Sequence, residues 1–104
     1  MAQFDVCRNL GKTRAGFPFF VVVQSGEFDR TDRRVVVPLT SQVAGYPPLA
    51  PAFVIDRKRV VADALLMFAI PRERLGEVVG SLADDESATA LVGAIDRVIS
   101  RGVG

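Results

Sequence analysis

The chain has 104 residues, 49% of them hydrophobic and 24% charged, with thirteen basic against twelve acidic side chains and a formal net charge of +1. That length gives room for one domain, residues 1–104, with one modest core; the composition excludes a disordered polar chain, and the charge balance lacks the basic excess of a domain that holds nucleic acid by its phosphates. With a single cysteine, Cys7, and no histidine, an internal disulfide, a Ser-His-Asp or Cys-His arrangement and the commonest zinc and copper ligand sets are all unavailable, so neither a metal nor a cofactor is expected.

Residues 3–8 (QFDVCR) alternate Phe4 and Val6 with Asp5 and Cys7, the pattern of a half-buried strand in which Cys7 is a small packed side chain. Residues 9–16 (NLGKTRAG) read as an exposed loop carrying Lys12 and Arg14. Residues 17–24 (FPFFVVVQ) are apolar on both faces, which suits a central strand covered on both sides, with Pro18 near its start. The apolar run around them, residues 15–23, is far too short to span a membrane, and no cationic start followed by a long apolar stretch marks a signal peptide, so a cytoplasmic chain is expected. Residues 25–32 (SGEFDRTD) form a polar turn whose lone aromatic, Phe28, is expected to plug the core.

Residues 33–40 (RRVVVPLT) resume a strand that Pro38 should interrupt or place at an edge. Residues 46–51 (YPPLAP) predict an extended connector, and residues 52–55 and 59–62 a short hairpin around the charged turn DRKR. Residues 65–70 (LLMFAI) predict a buried strand closed by Pro71, while Gly76 and Gly80 weaken any helix over residues 73–82, leaving an irregular segment with one helical turn. The helix at residues 84–100 is clear: Leu91, Val92, Ile95, Val98 and Ile99 recur at helical spacing, behind Asp84, Asp85 and Glu86 at the positive end. After it, Arg101 in the last turn and Gly102 just beyond suit a helix cap. Five or six short strands and one helix predict an α+β fold, mostly β: a small, strongly twisted antiparallel sheet or open barrel with a C-terminal α-helix beside it.

The groups able to carry chemistry are Arg33 and Arg34, Asp29 and Asp32, and the cluster Asp56, Arg57, Lys58 and Arg59. Arginine beside aspartate could stabilise a phosphoryl transition state, as a histidine-free ribonuclease would need. The same residues also suit turns and strand ends that keep a small sheet soluble, with Asp29 and Asp32 bonding turn amides.

Residues 23–41, VQSGEFDRTDRRVVVPLTS, resemble the CcdB family of plasmid and chromosomal toxins, where Gln-Ser, a turn with an aspartate, Arg-Arg, a β-branched run and Pro-Leu recur in that order. The start Gln3-Phe4, the LAPAFVI segment at 49–55, Met67 with Pro71 ahead of LGEVVGSL, and Ala94-Ile95-Asp96 keep their places too. The resemblance implies an SH3-like fold, shared with a ribonuclease toxin branch, built as a homodimer with a five-stranded sheet, a smaller sheet and a C-terminal helix. It implies a type II toxin–antitoxin system toxin that is not an enzyme and does not bind nucleic acid alone. Such a toxin binds the A subunit of DNA gyrase, traps its cleaved DNA complex, is neutralised by the disordered tail of a cognate antitoxin and takes part in transcriptional autoregulation.

The family's gyrase-binding triplet of tryptophan, glycine and an aliphatic residue falls, with one residue inserted, on Arg101, Gly102 and Val103, and this chain has no tryptophan. An arginine there offers charge and a fork of donors in place of a flat apolar face. The antitoxin surface falls on Glu27, Phe28, Asp96, Ile99 and Ser100. Two alternatives remain open: a ribonuclease on the same barrel using Arg33 or Arg34 with a nearby aspartate, or a domain that binds antitoxin and has lost its target.

Overall fold

The computed structural model describes residues 2–41 and 50–99. Within them, strands β1 (Asp5–Asn9), β2 (Phe19–Val22), β3 (Arg33–Thr40), β4 (Ala52–Ile55), β5 (Lys58–Ala62), β6 (Phe68–Pro71) and β7 (Leu75–Ser81) precede a single helix, α1 (Asp85–Ile99). All strand pairs are antiparallel, in the order β4-β5-β3-β2-β1-β7. β6 pairs with the first half of β3, on the edge whose far end β5 occupies.

Two-residue periodicity divides the apolar side chains of the central strands between two cores. Val6, Phe19, Val21, Val37 and Leu39 point to one face, where Ile55, Val60, Leu82 and Leu91 of α1 close over them. Cys7, Phe20, Val22 and Val36 point to the other, where Ile70 and Leu75 cover them. All four β2 residues are buried, as an apolar run without alternation requires. The β4–β5 hairpin bends back towards β7, so that Ile55 lies 3.6 Å from where a Cβ on Gly80 would stand, and the sheet curls into a half-barrel beside α1. Its turn, Asp56-Arg57, has φ of 50° and 65°, the left-handed pair that matches the twist of a two-residue hairpin.

Pro38 neither interrupts β3 nor lies at an edge of the sheet. Its carbonyl accepts from the Asp63 N–H at 3.0 Å, so the side on which it lacks a donor is the side where the partner of β3 changes from β6, paired at residues 33–36, to β5, paired at 39–40. The missing N–H thus falls in a gap in the ladder.

Several local expectations change. β1 begins only at Asp5, because Phe4 takes φ 71° while its N–H donates to the Val22 carbonyl at 2.6 Å. Residues 65–70 are not one buried strand: Asp63 accepts from the Leu65 N–H and caps a 3-10 turn, Ala64–Leu66, which leaves Leu65, Leu66 and Phe68 exposed. Residues 73–82 are chiefly strand, and the glycines that weaken a helix serve close packing instead: a Cβ on Gly76 would stand 3.0 Å from Arg8 Cβ and 3.2 Å from its carbonyl oxygen. The α1 start matches expectation, with the Asp84 carboxylate accepting from the Ser87 N–H at 3.0 Å. On α1, Leu91 and Ala94 face the core, whereas Val92 and Ile99 are exposed. The connector at residues 46–51 lies for the most part outside the described residues. No helix among the described residues is long and apolar enough to cross a membrane.

Candidate functional site

Two grooves meet at Arg33, which lines both. The first, of about 470 Å³, lies between the β1–β2 loop and β6 and is lined by Lys12, Thr13, Arg33, Phe68, Ile70, Pro71 and Arg74, with Asn9 and Phe20 below them. Three cations line it, and no carboxylate does among the described residues. A net charge of +1 therefore conceals a local positive patch.

Three separate segments supply these groups, and backbone bonds hold them together. The buried Asn9 side chain donates to Thr13 Oγ1 at 3.0 Å and to the Phe17 carbonyl at 2.8 Å, and accepts from the Gly11 N–H at 2.7 Å, which shapes the loop that presents Lys12 and Thr13. The Leu10 N–H donates to the Arg74 carbonyl at 3.3 Å, fastening that loop to the turn after β6. The Arg72 N–H donates to the Asp32 carbonyl at 2.8 Å, and Arg33 pairs with Pro71 in the ladder, bringing the start of β3 to the same turn. Phe68 stands edge-on to Phe20, with ring centroids 5.6 Å apart and planes at 77°.

The second groove, of about 670 Å³, is more apolar and runs from Phe28, Thr31 and Asp32 past Val35 and Met67 to Ile95 of α1. Gln24 sets its rim: the amide nitrogen donates to the Phe28 and Arg33 carbonyls at 3.1 and 3.2 Å, and the amide oxygen accepts from the Val35 N–H at 3.0 Å. Phe28 is 55% exposed at the head of this groove, so it does not plug the core. The residues between it and β3 are held from behind by Arg34, which the structure removes from the catalytic candidates. Only 4% exposed, its guanidinium donates to the Thr31, Arg33 and Asp29 carbonyls at 2.8, 2.7 and 3.0 Å, which leaves it a buttress of the turn.

The remaining charged candidates are dispersed. Asp56 and Arg57 form the β4–β5 turn, and Arg59 lines a separate groove beside β4. Asp56 lies 3.6 Å from Arg8, whose Nε donates to Glu77 at 2.7 Å; that bond to Glu77 is the main cause of the raised Arg8 pKa. Glu27 is exposed beside Phe28, and Asp96 lines a further groove with Phe4 and Val92. Ile99 is 65% exposed. Ser100, Arg101, Gly102 and Val103 lie outside the described residues. Arg74, Phe68 and Asn9 were not singled out by sequence reasoning, which took Lys12 only as part of an exposed loop and Gln24 only as part of the Gln-Ser motif; the Asn-x-Gly of the loop is a local signal of a side-chain-organised turn. Among the described residues no group of three or more His, Cys, Asp or Glu side chains could hold a metal ion.

The family of the CcdB protein matches residues 3–101. The chain belongs to the CcdB family. None of the curated proteins matches it in sequence. Among solved structures, this CcdB-family toxin is similar to an endoribonuclease from a mycobacterial species in complex with its cognate antitoxin, at 17% identity and TM-score 0.81, covering 100% of this chain and 99% of that one. A second mycobacterial endoribonuclease matches at 16% identity and TM-score 0.75, covering 100% and 95%. The Mycobacterium tuberculosis toxin MazF-mt6 matches at 16% and 0.74, covering 89% and 93%. At such identities the likeness is one of fold. It nevertheless overturns the expectation that a chain of this family and shape is not an enzyme, because the fold is one on which endoribonucleases are built.

Proposed function

We propose that this toxin of a toxin–antitoxin system is an endoribonuclease that binds RNA in the groove between the β1–β2 loop and β6. The observation that carries the reading is the convergence of Lys12, Arg33 and Arg74 on one groove without an opposing carboxylate, on a fold shared with endoribonucleases. Lys12 and Arg74 hold phosphates on either side of the scissile one, and the Arg33 guanidinium, exposed and forked, meets the charge that develops on its equatorial oxygens. The reaction needs neither metal nor histidine. The 2′-oxygen forms a bond to the adjacent phosphorus, the bond to the 5′-oxygen breaks, and the products are a 2′,3′-cyclic phosphate and a 5′-hydroxyl. No carboxylate among the described residues lines this groove, so water takes the proton of the 2′-hydroxyl, and water supplies one to the departing oxygen.

The second groove suits the cognate antitoxin. Its apolar lining around Phe28, Met67 and Ile95 accepts apolar side chains of a disordered segment, and because Arg33 lines both grooves, an acidic residue of that segment reaches the same guanidinium. Antitoxin and RNA then compete for one cation. A second reading, gyrase binding through Arg101, Gly102 and Val103, is favoured only by membership of the family.

Incubating the purified chain with unstructured RNA, and assaying for cyclic-phosphate ends, tests the reading. Cleavage is expected with the full chain and with a version ending at Ser100, and none with Arg33→Ala. If RNA stays intact while gyrase, plasmid and ATP yield linear DNA only when residues 101–104 are present, the gyrase reading replaces this one.

A further inference from the structure

We infer that Phe68 is a stacking platform for one unpaired base, so that the groove takes single-stranded RNA. The inference deepens the ribonuclease reading and rests on the groove being an RNA site. Phe68 is 43% exposed within a groove that also presents Lys12, Arg33 and Arg74. A phenyl ring left in water beside three cations is the arrangement in which a base lies on the ring while its flanking phosphates meet the charges. The T-shaped contact with Phe20 holds the ring, which stays 43% exposed. Phe20 is only 4% exposed, so among the described residues lining the groove Phe68 is the one exposed aromatic surface.

Asn9, the one side-chain amide of the groove among the described residues, is not available to read a base edge. Both amide hydrogens of Asn9 and its oxygen are engaged within the loop, and Thr13 Oγ1 accepts one of those hydrogens. Stacking without edge contacts is tolerant of sequence. It also rejects a duplex, whose bases are already stacked inside the helix and have no free face.

The test uses the full chain and a fluorescent 2′-O-methyl oligonucleotide, which lacks the nucleophile and stays intact, against a strand of equal length carrying abasic sugar phosphates and against the matching duplex. Wild type is expected to bind the base-bearing strand roughly five- to a hundredfold more tightly than the abasic one, the span that one stacked base supplies. Phe68→Leu, which keeps an apolar side chain but no aromatic face, should bring that ratio close to one, and Phe68→Trp should restore it. Duplex binding should be weak for wild type and the same for every variant. A ratio that Phe68→Leu leaves unchanged, a wild-type ratio of one, or no binding of either strand overturns the inference. Cleavage of unmodified RNA is scored separately. Cleavage that ignores Phe68 sinks the inference and leaves the ribonuclease reading standing, while Phe68-dependent binding without cleavage does the reverse.

Discussion

Replacing Arg34 with alanine should destabilise the protein, and replacing Arg33 should not, although the two are adjacent in sequence. Arg34 is 4% exposed and its guanidinium meets three carbonyls at 2.7 to 3.0 Å. Hydrogen bonds to a charged group contribute about 1.5–3 kcal/mol each. The turn they hold is at the surface, so water recovers part of what the carbonyls lose, and the expected net loss is about 2–4 kcal/mol. At roughly 4–8 °C per kcal/mol for a domain of this size, Tm falls by about 10–30 °C. Arg33 is exposed, and its loss should cost no more than about 0.5 kcal/mol. Arg34→Lys should not rescue the fold, because one ammonium cannot serve three carbonyls arranged around a planar fork. Thermal melts followed by circular dichroism decide the matter. If Arg34→Ala melts within about 3 °C of wild type, less than 1 kcal/mol on the same scale, the buttress does not exist and Arg34 returns to the list of candidate RNA-binding groups.

The glycines give a pair of opposite signs. Gly76→Ala drives a Cβ against Arg8 Cβ and its carbonyl oxygen and should cost about 1–3 kcal/mol, whereas Gly93→Ala, in open space within α1, should stabilise by about 0.5–1 kcal/mol; urea titrations of both check this. Phe28→Ala should change stability by less than about 0.5 kcal/mol, against about 3–5 if the ring were packed in the core. Asp84 has its pKa lowered, chiefly by the hydrogen bond from the Ser87 backbone. A depressed folded-state pKa means that the stabilisation is complete above the unfolded-state value and is lost as pH falls through the folded one. Asp84→Asn should therefore keep the cap but flatten that part of the acid limb, as urea midpoints from about pH 6 down to pH 2 would show. Burial first, and then the charge of Asp5, raise the pKa of the Cys7 thiol, and the side chain is fully buried. Labelling by a thiol-reactive disulfide should proceed only as fast as the protein opens, and fast labelling of the native state would contradict the packing.

The sequence by itself determined the elements whose signals are local. β2 and β3 were legible because their β-branched and aromatic runs have no other good home, the β4–β5 hairpin because the charged run DRKR separates two apolar runs, although Lys58 and Arg59 prove to belong to β5 and the turn is Asp56-Arg57 alone, and α1 because its apolar residues repeat every three or four positions behind acidic residues at its start. The CcdB resemblance was legible for the same reason, as an ordered series of short motifs now matched over residues 3–101. What the sequence left undecided depends on contacts between distant segments. Gly76 and Gly80 look like helix breakers until β1 and Ile55 are seen pressing on β7, and Pro38 looks like an interruption until β5 and β6 divide one edge of β3 between them. Arg33 and Arg34 are indistinguishable as letters. Strand alternation sends one to a groove and the other beneath a turn, and only the fold says which. The site is the extreme case: Lys12, Arg33 and the segment from Phe68 to Arg74 lie far apart along the chain and share no motif, and their common groove arises only because backbone bonds fasten the β1–β2 loop, the start of β3 and the turn after β6 to one another.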